Sequence, residues 1–579
     1  MKKYLIWFLI IILTGCGQQS SDIQKESTLP IPLDKDCDGN YKIAPKPCLR
    51  LALSQPLETI DPGLIYNTNQ SEIVEQLFLG LTNFQKQQDG TFKVVGELAT
   101  DWQVSENGTI YTFNLRNDVS WVKKQDSKWI TTKPVTAHDV VWTIRRNLID
   151  NEYNLVSLQS IHNAIAINQI RPNEAQKREF LNNGTISVED TLLSLGVRAI
   201  DDHTVEFILE NIFPAFPKVI STASYRPLPR HVIEQYADTW IELEHIQTNG
   251  SYVLVDWQQG NDIILTKNPY YYAATDNQIS KIHYYIIPET DLGLAMYKNN
   301  GLDILGGSYL ELPMADIYRI KSDPFLAENL QKGPRACTAW YSINTQRLPT
   351  DNLLVRKALA AALDKQLLID VIIKENKPAK TLVHPIAIGT ADENMGIPFN
   401  LKQAKEYLKQ YKEESSSQKI PTIILAHWKD EGIRKISKGV KVLLSHNLKD
   451  INIELQEDDS YWEQTKPQTT VPHIFWYANC AAYPEASNWL GFFTSFPYNL
   501  LSDNTNRLLT KLLNEADQTT DFNEQKEKYH QAEQLLTQEE VAVIPLYFTY
   551  PNILVKPRVK NWYNMPMGGQ HIRNWQLVE

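Results

Sequence analysis

Apolar positions recur every second residue in some stretches of this chain and every third or fourth in others, which predicts a mixed α/β fold. Ile110-Tyr-Thr-Phe-Asn-Leu115, Thr204-Val-Glu-Phe-Ile-Leu209 and Ile263-Ile-Leu-Thr266 alternate as half-buried strands do. From Val355 to Ile373, Leu359, Leu363, Leu367 and Val371 fall at helical spacing and predict one helix. A second helix is predicted from Phe522 to Leu536, with Tyr529, Ala532, Leu535 and Leu536 on its buried face. Thr136, with Asp139 three residues on, marks a helix start of the capping-box kind. The polar run Lys412 to Gln418 reads as a loop tip, and no repeat of 20–50 residues is visible.

The amino terminus follows a different pattern. Lys2 and Lys3 precede an almost wholly apolar run, Tyr4 to Leu13, and then Leu13-Thr14-Gly15-Cys16. Ten residues of helix reach only ~15 Å, half of a ~30 Å hydrocarbon core, so the run reads as a secretion signal over 1–15. The four residues ending in Cys16 form a lipobox, the site at which a cysteine is acylated and becomes the new terminus. Two or three acyl chains make a stable anchor at ~0.8 kcal/mol per buried CH₂. Residues 16–48 are polar and carry Pro30, Pro32, Pro45 and Pro47, the composition of a flexible tether. No later stretch reaches the ~18 apolar residues of a membrane span.

About 530 residues remain, enough for several domains or one large two-lobed body. A hydrophobic content of 42% with 14 tryptophans allows a substantial core. Loss of Lys2 and Lys3 takes the net charge from −11 to −13, which argues against nucleic acid as a partner. Clustered rings (Tyr270-Tyr271-Tyr272, Tyr284-Tyr285, Trp340-Tyr341, Trp476-Tyr477, Tyr547-Phe548) suit either core packing or the floor of a ligand cleft. Outside the cytoplasm cysteines pair, and Cys37 and Cys48 suit a local clip; sequence alone does not join Cys337 to Cys480.

Catalytic signatures are missing. There is no Gly-x-Ser-x-Gly, His-Glu-x-x-His, Cys-x-x-Cys or Gly-x-Gly-x-x-Gly, so neither an enzyme nor a cofactor is expected. His384, His427 and His473 have no metal-ligand spacing and read as surface or core residues. Asp34-Lys-Asp36-Cys-Asp38-Gly39 imitates half a calcium loop, but Pro45 stands where the bidentate glutamate belongs, so no metal is expected.

A series of short stretches resembles the solute-binding proteins of peptide and nickel ATP-binding cassette importers, family 5, in its oligopeptide-binding branch. They include Ile60-Asp61-Pro62, Gln76 to Leu81, Leu98 to Trp102, Asn107 to Arg116, Pro134 to Val140 and Ala199 to Thr204. Thr248 to Tyr252, Lys267 to Tyr270, Asn344-Thr345, Val355 to Leu359, Ala362 to Asp364, Val543 to Tyr547 and Leu554 to Val559 continue the series in order. The resemblance implies a two-lobed periplasmic binding fold of type II, with lobe I at 49–77, 230–336 and 551–579, an extra domain at 78–229, and lobe II at 337–550. It implies a Cys337–Cys480 disulfide. It also implies hinge closure around a short peptide, which is then handed to a membrane permease with its ATPase subunits. The protein is expected to be a monomer in the cell envelope, lipid-anchored on the periplasmic side or on the outer face of the plasma membrane.

In the relatives the peptide is held as an added strand. The matching backbone here is Tyr66-Asn67-Thr68 and Ala478-Asn479-Cys480, with Trp340, Trp476 and Tyr483 as nearby rings. One departure matters. The family's aspartate for the peptide's ammonium is Ala482 in the run Cys480-Ala481-Ala482-Tyr483, and a cleft basic residue is replaced by Trp476. Three readings follow: Glu485 or another carboxylate substitutes; the ligand lacks a free amino terminus, as an N-blocked peptide, cell-wall fragment or other solute does; or the chain is a scaffold or chaperone lipoprotein.

Overall fold

The computed structural model describes residues 48–150, 154–170, 172–188, 191–276, 278–313, 316–387, 394–415, 419–458, 471–494 and 500–578. The expected signal, Cys16, Cys37 and the acidic Asp34–Asp38 run lie outside the described residues. Cys48 is disulfide-bonded.

Alternation becomes pairing where the pattern asks for it. Ile110–Leu115 pairs antiparallel with Thr204–Ile208 and turns Tyr111, Phe113 and Leu115 inward. Phe207 joins them, and the three rings Tyr111, Phe113 and Phe207 meet Phe216, whose ring lies 5.1 Å from Tyr111 and 5.3 Å from Phe207. A second sheet runs in the order Cys48–Leu53, Lys281–Ile286, Asp262–Lys267, Tyr252–Gln258, with the first pair parallel and the rest antiparallel. One hydrophobic cluster runs through both sheets. Thr136 opens the helix Ala137–Asp150 as predicted, its N–H donating to Asp139 Oδ2 at 2.9 Å.

The other half is built on a six-stranded sheet: Lys377–Pro378, Val543–Phe548, Cys337–Ile343, Ile474–Cys480, Ile423–His427, Ile453–Glu457. Cys337–Ile343 is buried at every position, so both its faces are cored. Ala339, Tyr341 and Ile343 pack with the helices Leu353–Ala362 and Glu431–Asn447. On the other face, Trp340 packs with the helices Asp503–Gln518 and Phe522–Gln534. The chain passes between the halves twice. Leu330–Lys332 and Asn552–Val555 pair in a small sheet with Ile304–Gly306, whereas their neighbours Cys337–Ile343 and Val543–Phe548 pair in the six-stranded one. Among the described residues no helix is long and apolar enough to cross a membrane.

Two local expectations are corrected. The helix predicted from Val355 to Ile373 breaks: Leu353–Ala362 ends at Leu363 (φ −90°, ψ 105°), and Asp364 caps a new helix by accepting from Leu367 N. The Asp364 carboxylate offers the backbone an alternative to the helical hydrogen bond and re-phases the chain. Leu368, Ile369 and Ile373 become the buried residues, and Leu367 and Val371 are left 44% and 61% exposed. The loop expected at Lys412–Gln418 is helical as far as Glu414, within Leu401–Glu414, and Lys412 pairs with Asp450 at 2.7 Å. Residues 416–418 lie outside the described residues. The helix Phe522–Gln534 runs into a π-helical turn, Leu535–Glu539, and Tyr529, Ala532, Leu535 and Leu536 are buried as expected.

Candidate functional site

One strand edge is open beside the passage between the halves. Ile474–Cys480 pairs along its whole length with Cys337–Ile343, from Ile343↔Ile474 to Cys337↔Cys480. On its other side Ile423–His427 meets only Ile474 and Phe475. Among the described residues, no strand borders Ala478, Asn479 or Cys480 on that side, and the chain becomes steadily more exposed toward Cys480. An exposed edge of this kind offers main-chain N–H and C=O groups to an added strand. The Cys337–Cys480 disulfide implied by the resemblance is present and ties the two strands at their last register pair. Asn479 Nδ2 donates to Asn488 O at 3.2 Å, so its side chain is turned into the fold.

The opposite backbone segment is built differently. Asn67 caps the helix Thr68–Leu77: its Oδ1 accepts from Gln70 N, while Gln70 Oε1 accepts from Tyr66 N at 2.8 Å and Asn67 N at 3.3 Å. The amides of Tyr66 and Asn67 therefore close a capping box. The Tyr66 side chain is 65% exposed and donates to Glu58 Oε2. Thr68 Oγ1 accepts from Arg335 Nη2 at 3.2 Å, a bond to the first passage between the halves.

The expected rings do not share one wall. Trp340 lies opposite Tyr477 and Tyr341 opposite Trp476, so the two indoles stand on opposite faces of the sheet. Trp340 is fully buried against Tyr477, Phe492 and Phe493, its Nε1 donating to Ser342 Oγ at 2.9 Å. Trp476 is also buried, 5.6 Å from the Trp428 ring. Tyr483 is half-buried where the clusters of the two halves meet, and burial pushes its hydroxyl up to about 12. Phe84, on the strand Thr82–Lys86, belongs to the cluster around Trp340, which carries apolar contact across the seam.

Ala482 is exposed and brings no polar side chain. Glu485, the substitute carboxylate considered from sequence, is buried and held in an ion pair by Lys218. Lys218 stands on the short helix Phe216–Val219, which Phe216 fixes in the aromatic core of the first half. The pair thus crosses the seam and engages Glu485 at Oε2. A second bridge forms where Glu375 accepts from Lys321 at 2.6 Å and Lys332 at 3.2 Å. Sequence reasoning missed Lys218 and Arg335. The visible signal for Arg335 is its place two residues before Cys337; Lys218 had none.

The family model of bacterial extracellular solute-binding proteins, family 5 (Middle), matches residues 93–498. The periplasmic oligopeptide-binding protein OppA of Salmonella typhimurium is 25% identical over 560 residues, covering 94% of this chain and 95% of its own. A probable deoxycholate-binding periplasmic protein of Escherichia coli is 25% identical over 539 residues, covering 90% and 92%. Among solved structures, Haemophilus influenzae OppA in complex with RPPGFSPFR superposes with a TM-score of 0.71 at 21% identity, covering 93% of this chain and 100% of that one.

Proposed function

Because the chain belongs to the bacterial extracellular solute-binding proteins of family 5, a family of binding proteins, we propose that it captures short peptides between its lobes and delivers them to the permease of an ABC importer. The observation that carries this reading is the open edge at Ala478–Cys480, at the end of the strand that pairs beside the first of the two passages between the halves. A peptide laid on that edge gains main-chain hydrogen bonds, and side-chain identity matters little to them. Contacts from both halves exist only in the shut form, so ligand shifts the population toward closure. We assign lobe I to 49–77, 230–336 and 551–579, the extra domain to 78–229 and lobe II to 337–550. Cys16 is the proposed lipid anchor, and the protein acts by binding, with no chemical step. A screen of di- to pentapeptides by thermal shift, with small-angle scattering on the hits, tests this reading. Hits that stabilise and compact the protein are expected; no hit across the library would sink it.

A second reading is favoured by the Lys218–Glu485 pair and the exposed Ala482: Glu485 already has a cationic partner, and Ala482 brings no carboxylate for a free amino terminus. In it the ligand is an N-blocked peptide, a cell-wall fragment or another solute, consistent with a relative whose name refers to deoxycholate. Comparing free with N-acetylated peptides separates the two, since the second predicts no loss on acetylation.

A further inference from the structure

Arg335 lies on the passage that continues the strand paired with Ile474–Cys480, and among the described residues its guanidinium forms no ion pair. Cys337 pairs with Cys480, and Ala481 N donates to Ala336 O at 2.8 Å, so the register carries on and sets Arg335 opposite Ala482. Arg335 is partly exposed, and its main-chain N–H is fixed to Thr549 O at 3.1 Å on the second passage between the halves. Its side chain donates to Thr68 Oγ1, a neutral acceptor on the far side of the seam. Among the described residues Arg335 takes part in no ion pair. Burial pulls its pKa below the ordinary guanidinium value, opposed by the field of Glu311, an exposed residue that does not pair with it. A half-buried cation beside a binding edge is costly unless an anion meets it.

The neighbouring carboxylate does not meet it either. Glu485, three residues beyond Ala482, is held by Lys218. At this end of the edge Glu485 is already paired, and Glu311 acts on Arg335 through its field without an ion pair, so the guanidinium keeps N–H groups for another acceptor.

We propose that Arg335 is the cleft's anion receiver: it takes a carboxylate of the bound solute, in a fork of two N–H groups or one N–H beside the Thr68 bond. The assignment rests on the reading of the chain as a peptide receptor and adds the charge that the receptor reads. Guanidinium matches carboxylate geometry in a way an ammonium does not, which makes Arg335 a specificity residue rather than a general source of charge. The carboxylate is supplied either by the peptide's own C-terminus or by an acidic side chain.

The test uses the full mature protein and one random tripeptide pool in four forms: free, N-acetylated, C-amidated, and C-amidated with Asp and Glu replaced by Asn and Gln. Affinity is read by titration calorimetry. Acetylation is expected to change affinity less than about threefold, while removing the carboxylate lowers it at least about tenfold. A loss on amidation alone identifies the terminal carboxylate, and a loss only in the fourth form identifies the side chain; both support the assignment. Arg335→Met is expected to abolish the preference for acid over amide, with folding checked by its melting curve. Should Arg335→Met not fold, Arg335→Lys is expected to narrow the preference severalfold. Equal affinity for the free and fully uncharged pools, or an unchanged preference in the folded variant, would overturn the assignment while leaving peptide binding intact. Failure of every pool to bind would instead remove the peptide reading itself, and the assignment with it.

Discussion

The two backbone segments expected to flank a ligand use their main-chain groups in opposite ways. At Tyr66–Thr68 the Tyr66 and Asn67 amides are turned into Gln70 and start a helix. At Ala478–Cys480 the strand keeps one side without a strand partner among the described residues, held straight by Cys337–Ile343 on the other. The first segment is rigid because its hydrogen bonds are satisfied locally; the second depends on a sheet and a disulfide for its shape. The two segments thus differ in what their main chain leaves available: an edge at Ala478–Cys480 and a helix start at Tyr66–Thr68.

If the open wall depends on its staple, removing the staple has the largest effect. The Cys337–Cys480 bond closes a separation of 143 residues, for which loop entropy gives about 3–5 kcal/mol. The Cys337→Ser/Cys480→Ser variant is expected to lose that much in urea denaturation, and to lose peptide affinity more than any change at Tyr66–Thr68. An unchanged urea midpoint would show that the sheet alone holds the edge.

The seam comes next. Glu485 is buried, and its Lys218 partner keeps 26% of its side chain exposed. Breaking a fully buried pair costs about 3–5 kcal/mol, so the part-exposed lysine suggests about 2–3 kcal/mol for Lys218→Met. The double variant with Glu485→Gln is expected to recover more than half of this, because no charge is then left stranded. A single variant as stable as the parent would make the bridge an inert surface contact.

The capped wall has its own signature in pH. On its helix, Glu72 is fully buried, and burial raises its pKa from 4.5 to about 7, against donation from Gln570 N and the hydroxyls of Tyr284 and Tyr309. Three residues on, Glu75 pays the same burial, but Arg226 and Arg573 overcome it and bring it down to about 2. For Glu72 the folded state keeps a proton that the unfolded state releases above 4.5. Its contribution is therefore full below that value, is lost as pH rises toward about 7, and then stays flat, by at most ~1.4 kcal/mol per unit. Glu72→Gln is expected to remove about 2 kcal/mol of the fall in urea stability between about pH 5 and 8. A variant with the parent's slope would place the titration elsewhere.

The sequence showed most of the architecture, because alternation and helical spacing report burial directly: Ile110–Leu115 and Phe522–Gln534 lie where they were expected. It misled where one polar residue outweighed the apolar spacing. Asp364 broke a helix whose leucines looked continuous, and Asn67 with Gln70 starts a helix within the segment matched to the ligand-flanking backbone. Both signals were readable as capping residues. The Lys218–Glu485 pair was not, since 267 residues separate its members and only the fold joins them. The opposed faces of Trp340 and Trp476 required the register of two strands, which a single sequence does not supply.

The smallest predicted effect separates the two walls most cleanly. Asn67→Ala removes a side-chain acceptor for Gln70 N and leaves the rest of the box in place, so it should cost about 1 kcal/mol. If the segment works as a cap, that loss appears in urea stability alone, and affinity for peptides that bind the parent changes less than about twofold. If instead its main chain pairs with the ligand, freeing the helix end disorders the contact, and affinity falls further than stability. The ratio of the two losses, measured on one protein preparation, decides whether lobe I grips the ligand by its backbone or leaves that to Ala478–Cys480.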